Sequence, residues 1–343
     1  MKPGGLGRQG GDRQGRGHVD LDLSTCVNPY GPPGAVMAAL RNLPESLVRL
    51  HPYEAASQVE QAYARYSGQP VDEFVSGRGA SDLIWWLSQS FGDASIGLPM
   101  PTYTEFLRAF PQARALGGGP STHTLEVIED AMRTNDVVVL SNPHNPTGQV
   151  IRRDGLAGIA RQYHLATLVV DESYIDFLPD GSDVTLIGCD LDNVVVLRSP
   201  SKFFGLAGLR SGAAWLRSAA LRMQLRTRRG TWPVSALAAE ALTCALGERS
   251  WIADVRRLLA DDAGWLDESL AHAALDIAPG LLHFRLATGP AHEVAAFAGS
   301  LESSGILVRV LDGAHGVGRP AVRISAPARP DRPVLAAALA RQR

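Results

Sequence analysis

Of the 33 lysines and arginines in this 343-residue chain, only Lys2 and Lys202 are lysines. Lys202 stands in the stretch SPSKFFGLAGLR, residues 199–210, far from the N-terminus. Arginine stays protonated and cannot serve as an amine nucleophile. A lysine that is partly desolvated or set near other cations loses its proton and can form a Schiff base with an aldehyde. Phe203, Phe204 and Leu206 flank Lys202, and Arg198 and Arg210 are close in sequence. Those surroundings favour the neutral amine. An incidental surface lysine is the competing explanation.

Other polar groups follow apolar runs in a way that could gather them around this amine. After DVVVL comes SNPHNPTG, with Asn142, Asn145, Pro146 and Gly148; after ATLVV come Asp171, Glu172, Ser173 and Tyr174; after NVVVL come Arg198, Ser199 and Ser201. Each alone is ordinary turn or capping chemistry. Together they meet the needs of a pyridoxal phosphate (PLP) site. Asp171 suits the pyridine nitrogen, which needs a carboxylate to stay protonated. Asn145 and Tyr174 suit the ring hydroxyl. Gly79, Ala80 and Ser81 open the helical pattern in SGRGASDLIWWL and offer backbone N–H groups to a phosphate, with Ser199, Ser201 and Arg210 as side-chain partners. Tyr103 can stack on the ring. Arg323 in VRIS is the candidate for gripping a substrate carboxylate.

The elements that must position these groups follow from periodicity. Residues 136–141, 166–172 and 193–199 are continuous apolar runs rich in β-branched residues, the pattern of strands buried on both faces. SQVEQAYARYS, SDLIWWLSQSF and RDGLAGIARQY carry helical apolar spacing. The alternation predicts an α/β fold with a mainly parallel sheet, whose ligands sit at the carboxyl ends of the strands. Residues 1–17 are rich in Gly, Arg and Gln and are expected to be a disordered tail. Residues 18–45 are expected to join a smaller domain, 46–233 to form the large domain, and 234–343 to form the smaller α+β unit with strands in LLHFRLA and AVRISA.

Composition narrows the partners. Hydrophobic residues make up 45% and charged residues 20%, with a net charge of −2, which gives no reason to expect nucleic acid or a membrane surface. Three scattered cysteines, Cys26, Cys189 and Cys244, read as reduced structural thiols. No apolar run is long enough to span a bilayer and no signal-peptide pattern opens the chain, so the expected location is the cytoplasm. The histidines lack metal-ligand spacing. RMQLRTRR reads as a solvated basic helix face, Trp85 and Trp86 as core or dimer packing, and Gly117–Gly119 as a turn.

The segments SNPHNPTG, VVDESYIDF and SKFFGLAGLRSG resemble, in order, the landmarks of the fold-type I, class I/II aminotransferase superfamily. The branch is that of histidinol-phosphate aminotransferase and threonine-phosphate decarboxylase. LDLSTCVNPYGPP, LRSPSKFFGLAGLR and TWPVSALAAEAL are similar to the decarboxylases; SGRGASD and NPYGPP suit the aminotransferases equally. The resemblance implies a large domain with a mainly parallel sheet between helices, a smaller α+β domain, a Lys202 Schiff base with PLP, and a homodimer with a shared site. Asn28 and Tyr30 would then line the substrate side, and His51, or with a shift Tyr53, would reach the partner's cofactor phosphate. Two departures concern the substrate: RLHPY stands where Arg-Tyr-Pro is usual, and where the decarboxylases carry an N-terminal His-Gly-Gly this chain offers only Gly10-Gly11 and a separate His18.

The resemblance therefore implies a PLP enzyme acting at the Cα of an amino acid. A threonine-phosphate-type decarboxylase, serving cobalamin biosynthesis, is the first expectation. A histidinol-phosphate-type aminotransferase is the close alternative, and elimination or replacement on an amino acid such as S-adenosylmethionine is a third. A PLP-binding regulator is disfavoured because 17 residues cannot supply a DNA-binding domain. A P-loop ATPase is excluded by the absence of G-x-x-x-x-G-K-[ST].

Overall fold

The structure is a computed structural model and describes residues 10–14, 17–119, 123–179 and 181–341. After a short strand β1 (Leu21–Asp22), the large sheet is built from β2 (Phe74–Gly77), β3 (Ile96–Pro99), β4 (Arg114–Leu116), β5 (Val137–Ser141), β6 (Thr167–Asp171), β7 (Val194–Arg198) and β8 (Gly212–Leu216). Their spatial order is β2-β8-β7-β6-β5-β3-β4. Only β8 runs against its neighbours; the pairs from β4 to β7 are parallel. The three VVV-type runs become β5, β6 and β7, and β5 and β7 are buried at every position. Two-sided burial is why those runs carry no polar alternation.

Helices cover both faces. Residues 55–67 and 153–162 contribute Val59, Tyr63, Leu156 and Ile159 to the core on one side of the sheet. Residues 79–91 bury Leu83, Ile84 and Leu87 on the other. Trp85 and Trp86, adjacent on that helix, diverge as neighbours must: Trp86 packs into the core, while Trp85 is exposed and donates to Glu105 at 2.8 Å. The basic segment near residue 226 is pinned rather than simply solvated, with Arg226 donating to the Asp72 carbonyl and Arg228 to that of Gln89.

A smaller antiparallel sheet holds β9 (Asp276–Ala278), β10 (Phe284–Thr288), β12 (Arg309–Leu311) and β13 (Ala321–Ser325), in the order β12-β13-β10-β9. β11 (Ile306–Leu307) pairs in parallel with β1, which ties the N-terminal segment to this unit. Leu23 accordingly lies in the small core with Leu266, Val322 and Ile324. The expected division at residue 234 does not coincide with a change of core. Val234, Ala238, Leu242, Ile252 and Leu259 all pack into the large core. The long helix Arg249–Leu270 then carries Leu266 and Leu270 into the small one. A smooth apolar stripe along one helix conceals such a handover from a reading of periodicity.

The expected tail needs a correction as well. Residues 1–9 and 15–16 lie outside the described residues, but Gly10 and Gly11 have a defined place: the Gly11 N–H donates to Ser24 Oγ at 2.8 Å. A Cβ on Gly10 would come within 2.5 Å of the Ser24 carbonyl oxygen, so only glycine permits this approach.

Candidate active site

The carboxyl ends of the parallel strands converge on one cleft, as the topology requires. Ser141 ends β5, Asp171 ends β6 and Ser199 follows β7, and all three line a cavity of about 280 Å³ together with Lys202. Lys202 is half-buried there. Its Nζ donates to the Thr25 carbonyl at 2.8 Å. Desolvation pushes its amine down to about 8; Cys26 and Asp171 oppose the shift, while Arg323 and Arg210 add to it. Phe203 and Phe204, both fully buried, anchor the turn that presents it.

Asp171 is buried, and burial pushes its carboxyl up while two hydrogen bonds from Ser173 hold it down. The Ser173 N–H donates to Asp171 Oδ1 at 2.9 Å and its hydroxyl at 2.5 Å. No ion pair to Asp171 occurs among the described residues; Lys202 attracts it only from beyond ion-pair distance. A protonated pyridine nitrogen would supply such a pair.

At the opposite end, the helix Gly79–Phe91 opens with Ala80 and Ser81 on the cleft. Ser199 and Ser201 share a 2.8 Å hydroxyl contact, and Arg210 completes the set. Gly79 has φ +81°, and a Cβ there would lie 2.9 Å from Arg210 Nη2. These donors at a helix N-terminus form an anion cradle. Tyr103 lines the cavity together with Ser81. Asn145 and Tyr174 also line it. With an amine that can lose its proton, an unpaired buried carboxylate, an anion cradle and a stacking ring, the residues fit PLP.

Arg323 closes the cleft from the small sheet. It donates from Nη1 to Asn145 Oδ1 and from Nη2 to the Ser24 carbonyl at 2.7 Å. Arg309, which the sequence reading missed, is its direct cross-strand partner. Both are buried, at 7% and 8% exposure, and both line the cavity. Like charges directly opposite across strands repel. Burial, with Arg323 and Arg108 adding repulsion, pulls Arg309 down to about 10. Among the described residues Arg309 has no carboxylate within ion-pair distance; its neighbour is His315 Nε2 at 3.3 Å.

Two expected site residues are placed differently, and His51 is oriented away from its own chain's cleft. Asn28 is buried outside the cleft, with its amide donating to the Phe203 carbonyl at 2.7 Å and its N–H to that of Lys202 at 2.9 Å. It braces the lysine turn instead of lining the substrate side. The Tyr30 hydroxyl accepts from the Arg329 N–H at 3.1 Å, turned away from the cavity. His51 does not enter the cleft of its own chain; it stacks on Trp232 with ring centroids 3.9 Å apart, beside exposed Tyr53. Gly10, Thr25 and His315 line the cleft unforeseen. The nearest signal was that Arg309, in GILVRVLD, is an arginine within an otherwise apolar strand.

Comparison with known proteins gives the family and the fold. The profile of the family "Aminotransferase class I and II" matches residues 19–341. Histidinol-phosphate aminotransferase of Shewanella amazonensis is 32% identical over 283 residues, covering 77% of this chain and 75% of its own. Histidinol-phosphate aminotransferase 1 of Methylococcus capsulatus is 28% identical, covering 84% and 82%. Two solved structures share the fold. Histidinol-phosphate aminotransferase from Sinorhizobium meliloti, in complex with pyridoxal-5'-phosphate, has a TM-score of 0.84 at 22% identity over 94% of this chain and 90% of its own. L-threonine-O-3-phosphate decarboxylase from Porphyromonas gingivalis has a TM-score of 0.80 at 20% identity over 93% and 98%. The chain belongs to the class I and II aminotransferase family and has the fold of the PLP enzymes of fold type I.

Proposed function

We propose that the chain holds PLP through Lys202 and decarboxylates an amino acid whose side chain carries a second anion, a substrate of the threonine-phosphate type. In this reading Asp171 would accept from the pyridinium N–H, and Asn145 and Tyr174 would bond the ring oxygen. Tyr103 would stack on the ring, while Ala80, Ser81, Ser199, Ser201 and Arg210 would hold the phosphate. When bound, the cofactor withdraws electrons from the substrate Cα. The chain's own residues would decide which Cα bond breaks by how they orient the substrate. Arg323 grips the α-carboxylate, and Arg309 takes the second anion. The Lys202 amine would hold or move a proton at Cα.

The decarboxylase form is supported by the likeness of LDLSTCVNPYGPP and LRSPSKFFGLAGLR to the decarboxylases, two segments that meet at the cleft where Lys202 Nζ donates to the Thr25 carbonyl at 2.8 Å. Incubation of the PLP-loaded protein with O-phospho-L-threonine should release CO2 with no keto acid present. Absence of CO2 under cofactor saturation would refute it.

A histidinol-phosphate-type aminotransferase is the second reading, favoured by the names of the curated relatives. It also suits two arginines, one for a phosphate and one for the carboxylates of an amino donor. Turnover that requires a keto-acid acceptor, with CO2 retained, identifies it. We further propose that the exposed Tyr53, His51 and Trp232 lie against a second copy in a homodimer with a shared site.

A further inference from the structure

Arg309 poses a problem of placement. Arg323 opposite and Arg108 repel its guanidinium, Asp312 and Tyr103 attract it more weakly, and among the described residues no carboxylate lies within ion-pair distance of it. One direct side-chain contact holds it in the cleft. His315, 3% exposed and lining the cavity, meets Arg309 Nη2 through Nε2 at 3.3 Å, while its Nδ1 lies 2.8 Å from Asp312 Oδ1. Asp312 stands one short 3-10 turn before His315. The Asp312 N–H also approaches Nδ1, at 3.1 Å; the shorter contact is to the carboxylate, which accepts only, and an arginine N–H at Nε2 can only donate, so both place the imidazole proton on Nδ1. Nε2 is then the acceptor that an arginine N–H requires.

We propose that His315, oriented by Asp312, is a positioning residue for substrate specificity: it holds Arg309 in the cleft as the selector for a second anion on the substrate side chain. This rests on the reading that the cleft takes an amino acid. The contact acts on the side-chain end of the substrate, away from Lys202. Its loss should therefore weaken recognition of a doubly anionic amino acid while leaving the chemistry at Cα and the binding of neutral side chains unchanged. Glutamine at 315 places an acceptor oxygen near the position of Nε2 and should restore the contact. A phenyl ring fills the same space without an acceptor.

The test uses the PLP-loaded protein and two probes, O-phospho-L-threonine and L-threonine, with apparent Kd read from the shift of the visible cofactor band and KM and kcat from turnover. Wild type should prefer the phosphorylated probe. His315→Phe should raise its Kd and KM about 10- to 100-fold, the range of a lost charge-assisted hydrogen bond, with kcat and the L-threonine Kd unchanged. His315→Gln should recover most of the preference. Asp312→Asn, at an exposed position, should give an intermediate loss and checks the idea if the phenylalanine variant folds poorly. Equal weakening of both probes in His315→Phe, or a preference that survives it, overturns the inference and leaves the proposed function standing. If wild type gives no band shift with either probe, or no preference between them, the substrate reading itself has failed and the inference falls with it.

Discussion

The Lys202 amine is hydrogen-bonded to the carbonyl of Thr25, 177 residues earlier in the chain, at 2.8 Å. Cys26, the residue after Thr25, has φ +54°, a conformation non-glycine residues rarely adopt. Asn28 then returns two hydrogen bonds to the carbonyls of Lys202 and Phe203. The N-terminal segment thus grips the lysine turn with one hand and the small sheet, through Ser24 and Arg323, with the other.

The depressed amine predicts how the protein loads its cofactor. With Lys202 titrating near 8, PLP uptake by the cofactor-free protein should accelerate as pH rises and level off above that value. Stopped-flow absorbance across pH 6.5–9.5 measures it. Lys202→Ala should show no borohydride-fixed adduct and lose at least about 1000-fold in turnover, because it lacks both the anchoring amine and the base.

Beneath the cleft, Glu172 is fully buried. It accepts from Thr185 Oγ1 at 2.6 Å and the Leu186 N–H at 2.7 Å and faces Arg198 at 3.7 Å. Arg198 in turn pairs with Asp176 at 2.7 Å. Glu172→Ala should cost about 3–5 kcal/mol, since it removes one partner of a buried charge group. Burial pushes the Glu172 carboxyl up to about 7, so between about 4.5 and 7 the folded state binds more protons than the unfolded. Stability from this group falls as pH rises through that window. Glu172→Gln should flatten the slope in urea denaturation series.

His144 gives the opposite sign. Its ring bridges Thr147 Oγ1 at 2.7 Å and the Pro101 carbonyl at 2.9 Å, joining the loops that carry Asn145 and Tyr103. Burial pulls it down to about 4, so between about 6.5 and 4 the unfolded state takes up the proton first and stability is lost as pH falls. His144→Ala should lower stability by about 1–3 kcal/mol at pH 7.5, through the unpaired groups it leaves. It should also weaken the acid dependence and shift the circular dichroism of bound PLP, as Asn145 and Tyr103 relax.

Gly79→Ala should weaken PLP binding. A left-handed alanine costs about 1–2 kcal/mol, and its methyl would displace the Arg210 guanidinium. Fluorescence titration of the cofactor-free protein should show Kd raised about 10-fold, with the thermal midpoint lowered by a few degrees.

The sequence by itself determined the parallel sheet and the cofactor side of the cleft. Val137–Ser141, Thr167–Asp171 and Val194–Arg198 are legible because strands buried on both faces cannot alternate, and their polar followers are legible because loops after such strands share one edge. Lys202 was legible because a chain written in arginine used the one cation that can act as an amine. Only the tertiary structure decided the substrate side. Arg309 meets Arg323 through strand register, His315 enters through a short turn, and Gly10 arrives from a segment whose composition predicts disorder. It also turned Asn28 and Tyr30 from substrate contacts into braces. Such residues are joined by pairings between distant segments, and no local period or propensity records which segment a strand will lie beside.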